Sequence, residues 1–427
     1  MAELLLVLGY GLLFAFVISR NSFFRCEGLT TRQLLFAFAA KVLAGILLGY
    51  IYTYHYEDRL KADTMKFFDD SKVIFDLLKT NPGNFFRIFT GIGSSDPSLT
   101  PTYMQLNSWM YQEFMNSNRM MVRVDILFRF LIPGNYYYVH TVFFNFLSFI
   151  GIIYLYKLFT KELRLAGMQL YLLLFFTPSL LFWGSGLLKE SVLLFAIGGI
   201  LWNYMSYLDD RRTFRLWMIL FFGLLLTFIK IYVPMVLAPS LIAFFWVKKK
   251  PVLPILKFAV CNAVFFFVIF HLNLLIPRYN LSHYLFIKQR DFLALVKTEK
   301  PSSAISIPVI EPSFRSIVKH APRGFLTTLT RPYLFESFSP FILAASLENL
   351  AILILILLCI ATFSRPPNGT MGFVVFSLFF VTILFTLIGL VTPVEGAIVR
   401  YKCVALPFLF TALLSLSSPG RFLKKAA

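Results

Sequence analysis

Charged residues are sparse in this chain, and those set among or beside apolar runs are the ones that can do chemistry. The stretch ADTMKFFDDS carries Asp63, Asp69 and Asp70, with Lys66 between the first and the pair. Aspartates supply general bases or metal ligands. Asp63 and Asp70 lie seven residues apart, nearly one helical face, and a nearby Lys66 favours their ionised forms. Asp69 and Asp70 can also simply pair with Lys66 along a helix. In FWGSGLLKES, Lys189 and Glu190 stand side by side between two apolar runs. Lys230 lies in TFIKIYVP, Arg331 and Glu336 in TRPYLFESFSP, and Arg400 and Lys402 in GAIVRYKCVALP. Lysine and arginine so placed are the parts of a phosphate clamp.

Lys189 is the most informative of these. The run that follows it reads as a helix whose turn is Trp183-Gly184-Ser185-Gly186, with Ser185 as its N-cap. Glu190 suits the positive end of that helix, and Lys189 opposes it. Neighbours in sequence do not face each other on a helix, so Glu190 is a poor partner for Lys189. A lysine held against the dipole implies an anion nearby, either a carboxylate from elsewhere in the chain or a bound phosphate. The plainer alternative is a lysine that snorkels to the headgroups.

The elements that must position these residues are membrane helices. Of the 427 residues 58% are hydrophobic and only 14% charged, against about 25% charged in soluble globules. Apolar runs at 2–19, 34–54, 140–159, 167–183, 187–208, 214–230, 232–247, 253–272, 342–362, 371–391 and 404–418 approach or exceed the roughly 18–20 residues that span a bilayer. The expected fold is therefore all-α, a single polytopic integral membrane domain over 1–427 with about eleven transmembrane helices. The first run carries Glu3, has no basic start and has no small-residue cleavage site, so it reads as a retained helix.

The net charge of +19 would suit a nucleic-acid partner, but its distribution argues otherwise. One alternating set of helix ends carries Arg20, Arg25 and Arg32; Lys157, Lys161 and Arg164; Arg211, Arg212 and Arg215; Lys248, Lys249, Lys250 and Lys257; Arg365; and Arg421, Lys424 and Lys425. The short loops of the other set carry only Lys189, Lys230, Arg400 and Lys402. Cytoplasmic loops are the basic ones, so the excess is a topology signal: N-terminus outside, C-terminus inside, membrane lipids as surroundings and no nucleic acid. Segments 55–139 and 273–341 then face outward, and both are too long to be mere connectors. Phe67, Phe68, Val73, Ile74, Leu77 and Leu78 mark an amphipathic helix over 62–80 at the outer interface, and 102–130 suggests another.

On this topology the unusual charges share the outer face, with acids on one wall of a cavity and bases on another. Those groups can transfer a moiety from a lipid-linked phosphate donor. The four cysteines form no CxxC pair, and His55, His140, His271, His283 and His320 are too scattered to suggest zinc. No diagnostic metal set is present, so no cofactor is assigned, although a divalent cation could share the phosphate-binding role.

The layout resembles the GT-C superfamily of membrane glycosyltransferases, which use polyprenyl-phosphate sugars. The shared features are many helices, a long first outer loop with amphipathic helices, and an acidic motif early in that loop, here ADT at Asp63 or FFDDS at Asp69–Asp70. The stretches GSGLLKES, TRPYLFES and GAIVRYKCVALP are similar to those of bacterial membrane proteins of surface-polysaccharide synthesis, some called glycosyltransferases and some O-antigen-type polymerases. The acidic motif follows the second helix here, not the first, a departure that one extra N-terminal helix would account for. The resemblance implies glycosyl transfer at the extracytoplasmic face of a bacterial inner membrane. The donor would be a polyprenyl-phosphate-linked sugar and the acceptor a glycan or lipid-linked molecule. Asp63 would be the base ahead of Asp70 and Asp69. Lys189, Arg400, Lys230, Lys402 and Arg331 would hold the lipid phosphate, and Glu190 and Glu336 would support them. A polymerase would use the same clamps with two lipid-linked oligosaccharides. A lipid-linked sugar transporter would instead need charges near the midplane. A non-catalytic scaffold would tolerate neutralisation of Asp63 and Lys189 together.

Overall fold

A computed structural model describes residues 1–54, 62–107, 117–336, 339–366 and 369–417. His55, Arg421, Lys424, Lys425 and the middle of the 102–130 stretch lie outside the described residues. Among the described residues the chain is all-helical, and β pairing is limited to two isolated bridges, Ala304 with Val394 and Phe363 with Ser417.

Nine helices among the described residues are long and apolar enough to cross a membrane, and the chain is a polytopic integral membrane protein. They are Ala2–Arg20, Thr31–Tyr54, Tyr137–Leu163, Lys189–Asp210, Tyr232–Lys249, Pro254–Leu274, Pro340–Ala361, Met371–Val391 and Glu395–Leu416. The two other runs of the expected eleven differ for local reasons. Thr213–Ile229 forms one apolar helix of 17 residues, a little short of a full span. The run 167–183 is divided into Met168–Phe175 and Pro178–Trp183. Pro178 disfavours helical backbone at Thr177, which has ψ 120°, so the first helix ends before it.

The chain gathers into two compact units, one of Met1–Leu158 with Ala166–Tyr232 and the other of Phe159–Leu165 with Val233–Ala427. In the first unit, Tyr137–Leu163 and Lys189–Asp210 form the centre, each with 72% of its most apolar window buried, whereas Ala2–Arg20 has 17% and turns its leucines outward. Glycines permit the closest approach. A Cβ on Gly198 would stand 2.3 Å from the Gly151 carbonyl oxygen, so these two helices touch backbone to backbone. In the second unit the same device joins Phe314–Thr330 to Met371–Val391, where a Cβ on Gly389 would stand 1.9 Å from the Gly324 oxygen. Phe314–Thr330 belongs to the segment 273–341 that the sequence assigns to the outside, yet its last turns pack along a membrane helix.

In the segment between Tyr54 and Tyr137, helix Asp63–Thr80 packs on Ser117–Arg129 and Pro82–Thr90. Phe67, Phe68 and Ile74 of its apolar stripe are buried, and Val73, Leu77 and Leu78 are half-buried. Helix burial is most stabilising when the apolar stripe meets protein, and Phe68 does so edge-on against Tyr137 and His140, with ring centroids 5.6 and 5.1 Å away.

Candidate active site

The first unit assembles its polar residues around one end of the central helices. Gly45 and Gly49 of Thr31–Tyr54 meet Asn145 and Tyr137, so that helix runs antiparallel to Tyr137–Leu163. The divided segment carries the chain back. The Tyr171 hydroxyl donates to the Gln33 carbonyl at 2.7 Å, and the Gly186 amide donates to Asn145 Oδ1 at 2.9 Å. Lys189–Asp210 then runs parallel to Tyr137–Leu163, with Gly151 beside Leu194 and Gly198. Lys189 therefore stands level with a point about two to three turns inside Tyr137–Leu163, a depth of roughly 12–15 Å from Tyr137 at 1.5 Å per residue.

The turn that presents Lys189 is built from small residues. Gly186 has φ +87°, a left-handed conformation that a side chain would strain. Ser191 Oγ donates to the Gly184 and Gly186 carbonyls at 3.1 and 2.8 Å. Lys41, 1% exposed in the middle of Thr31–Tyr54, donates from Nζ to the Gly184 carbonyl at 2.6 Å. Ser185 is not the N-cap: Leu188 takes that position in extended conformation with no side-chain bond, and Ser185 Oγ donates to the Leu181 carbonyl instead. The left-handed Gly186 delays the helix until Lys189, which moves Ser185 out of capping register.

Lys189 and Glu190 point to different partners. Lys189 is half-buried; its Nζ donates to Ser117 Oγ at 2.8 Å and stands 5.9 Å from the centre of the Phe67 ring. Phe67 lies one turn from both Asp63 and Asp70, on the i, i+4, i+7 face of helix Asp63–Thr80. The fold thus brings Lys189 to the acidic face of that helix. Glu190 is fully buried, and Lys230 Nζ lies 2.9 Å from its Oε1. The tip of the hairpin after Thr213–Ile229 supplies the counter-charge that Lys189 cannot.

The three aspartates occupy different surroundings. Asp63 is half-buried in the first turn of its helix, where the dipole favours a carboxylate. Asp69 is half-buried. Asp70 is 1% exposed, and its Oδ1 accepts from both the backbone N and the Nδ2 of Asn107, at 3.0 and 2.7 Å. Asp70 thereby fastens the loop at Asn107 to helix Asp63–Thr80.

A buried network stands one turn further on. Asp125 meets His140 Nδ1 at 2.6 Å and accepts from Ser71 Oγ; Arg129 Nε donates to Ser71 Oγ at 2.7 Å and its Nη2 to the Phe68 carbonyl at 2.6 Å. Burial pulls the Arg129 guanidinium below its ordinary pKa, and Asp125 opposes that shift. His140 Nε2 is buried without a hydrogen-bond partner. The network ties the first turn of Tyr137–Leu163 to helices Asp63–Thr80 and Ser117–Arg129, and so holds the aspartate-bearing helix in place.

In the second unit Lys402 is 2% exposed, and its Nζ donates to the Thr328 and Arg331 carbonyls at 3.2 and 3.0 Å and to Asn349 Oδ1 at 2.9 Å. Asn349 Nδ2 donates to the Thr330 carbonyl, closing the loop at Arg331. Arg331 Nη1 binds Glu336 Oε1 and stands 3.5 Å from Glu395 Oε1. Arg400 is half-buried in the last turn of Glu395–Lys402. Arg331, Glu336 and Lys402 therefore gather in one cluster that also takes in Asn349 and Glu395.

Lys41, Ser71, Asp125, Arg129, His140, Asn349 and Glu395 carry these clusters and lie outside the site residues to which the sequence points. Lys41 had a usable signal, a charge inside the apolar run FAFAAKVLAG. Asp125 and His140 had none, because their pairing depends on two segments meeting. Among the described residues no three His, Cys, Asp or Glu side chains are placed to share a metal ion. Comparison with family models, with curated proteins and with solved structures gave no match to this chain.

Proposed function

We propose that this protein is a membrane glycosyltransferase that moves a sugar from a polyprenyl-phosphate-linked donor to an acceptor at the extracytoplasmic face. The observation that carries this reading is the approach of Lys189 to the face of helix Asp63–Thr80 that bears Asp63 and Asp70. Phe67 lies one helical turn from each aspartate, which supports a cation working beside that carboxylate face, and the transfer needs both. The acceptor hydroxyl attacks the anomeric carbon while Asp63 takes its proton. The bond between that carbon and the phosphate oxygen breaks, and polyprenyl phosphate leaves with the electron pair. Lys189 stabilises the charge that grows on the departing phosphate, an interaction stronger in the transition state than in the ground state. Glu190 is neutralised by Lys230, which leaves Lys189 the cation on the side of the acidic helix.

The depth of Lys189 bears on an amphiphilic donor. Tyr137–Leu163 has 27 residues, so it is about 40 Å long and exceeds a hydrocarbon core of about 30 Å. Centred on that core, a group two to three turns inside the helix lies roughly 7–10 Å below the core's outer edge, so the donor's phosphate would have to descend along the helix to meet it. The reading is tested by the release of polyprenyl phosphate in nanodiscs supplied with polyprenyl-phosphate-linked sugars and a host membrane extract as acceptor. The expected result is release by the parent and none by the Asp63→Asn, Lys189→Ala double variant. Equal release by both, or none by the parent, contradicts it.

A further inference from the structure

The hairpin between Tyr232–Lys249 and Pro254–His271 forms a groove of ≈ 600 Å³ lined by Trp246, Lys249, Lys250, Leu253, Leu256 and Lys257 among others. Its composition is divided. Lys257 is 8% exposed, donates from Nζ to the Lys250 carbonyl and stands 5.3 Å from the centre of the Trp246 ring. Lys249 and Lys250 are exposed beside it, and no carboxylate pairs with any of the three among the described residues. Around this basic centre Trp246, Val252, Leu253, Leu256 and Val260 are all exposed. Pro251 and Pro254 restrict the turn's backbone on either side of Leu253, which has φ +51°. The first amides of Pro254–His271 have no partner within their own helix and favour an anion at that end.

Three cations, a helix start and a tryptophan at a membrane-helix turn, surrounded by apolar side chains, match a molecule with a phosphate head and hydrocarbon tails. We infer that this groove binds an anionic phospholipid, with the phosphodiester against Lys249, Lys250 and Lys257 and the acyl chains along Leu256 and Val260. Basic pockets between membrane helices bind such headgroups, and tryptophan settles at the same depth. Unlike the basic residues scattered on other loops, these three lysines converge on one groove. Water-soluble phosphate lacks the tails that the apolar rim would cover, so the lipid is the occupant.

The experiment is native mass spectrometry of the full chain released from nanodiscs holding equal phosphatidylglycerol and phosphatidylcholine. The parent is expected to retain phosphatidylglycerol at least several-fold over phosphatidylcholine. The Lys249→Gln, Lys250→Gln variant, altered at two exposed positions, is expected to lose that preference. An Arg211→Gln, Arg212→Gln variant removes the same charge elsewhere and is expected to keep it. Equal retention of the two lipids by the parent, an unchanged preference in the lysine variant, an equal loss in the arginine variant, or displacement of the lipid by glycerol phosphate overturns the inference.

Discussion

Lys230 Nζ lies 2.9 Å from Glu190 Oε1, with the carboxylate side chain fully buried and the lysine 10% exposed. Breaking a buried ion pair from one side typically costs about 3–5 kcal/mol, because the remaining charge loses its compensation. Glu190→Gln is therefore expected to lower the melting temperature of the purified protein markedly. Glu190→Gln combined with Lys230→Met should recover much of the loss. Lys189→Ala is expected to leave the melting temperature nearly unchanged and to lose activity. Thermal unfolding in detergent distinguishes the two lysines. A Lys189→Ala variant as unstable as Glu190→Gln would make Lys189 a structural residue.

Two buried or half-buried aspartates should separate in the same way. Asp125 serves His140 and Ser71, and through Ser71 it reaches Arg129. Asp125→Asn is expected to destabilise the fold by about 3–5 kcal/mol, the scale for a buried charge pair. Asp63→Asn, in a first helical turn, should cost well under about 1 kcal/mol, the scale of a helix-end charge effect. Melting curves recorded without any substrate measure this difference, and equal curves would show that Asp125 is not the anchor of its network.

Close helix contact gives an independent check on the central packing. Gly198→Ala places a Cβ 2.3 Å from the Gly151 oxygen, so the helices must separate. Overpacking of this kind costs about 1–3 kcal/mol. Gly223→Ala meets nothing nearer than Ile200 Cδ1 at 3.7 Å and serves as the control. The expected result is lower thermal stability for the first variant and none of that loss for the second.

Topology is open to labelling in intact cells. With Cys26, Cys261, Cys359 and Cys403 replaced by alanine, a cysteine at exposed Lys79 is expected to react with an impermeant maleimide. Cysteines at exposed Arg212 and Lys250 should stay protected until the membrane is opened. Reaction at Arg212 or Lys250 in sealed cells would invert the orientation on which the outer-face site depends.

The membrane class and most of its helices were legible because a span must be long and apolar, and nine of the eleven apolar runs meet that test as continuous helices among the described residues. The division at Pro178 was visible as a residue but not as a break, since proline is also tolerated within membrane helices. The acidic and basic site residues stood out as charges beside apolar runs. Their pairing did not. Glu190 meets Lys230 through a helical hairpin, and Asp125 meets His140 through a loop, so each contact depends on tertiary structure that periodicity does not encode. Lys402 reads as a ligand of the donor's phosphate from its position, yet it is buried and closes the loop around Arg331 through three acceptors.

The central claim is that Asp63 is the base of a glycosyl transfer whose leaving phosphate Lys189 stabilises. The direct measurement is a pair of values on purified Asp63→Asn, the affinity for a polyprenyl-phosphate-linked sugar and the turnover to product. General-base catalysis contributes roughly 10²–10⁴-fold. Turnover is expected to fall by that order while donor affinity stays close to the parent's, because Asp63 acts on the acceptor. Full turnover in Asp63→Asn together with loss in Asp70→Asn would move the base along the helix, and full turnover in both would contradict the account.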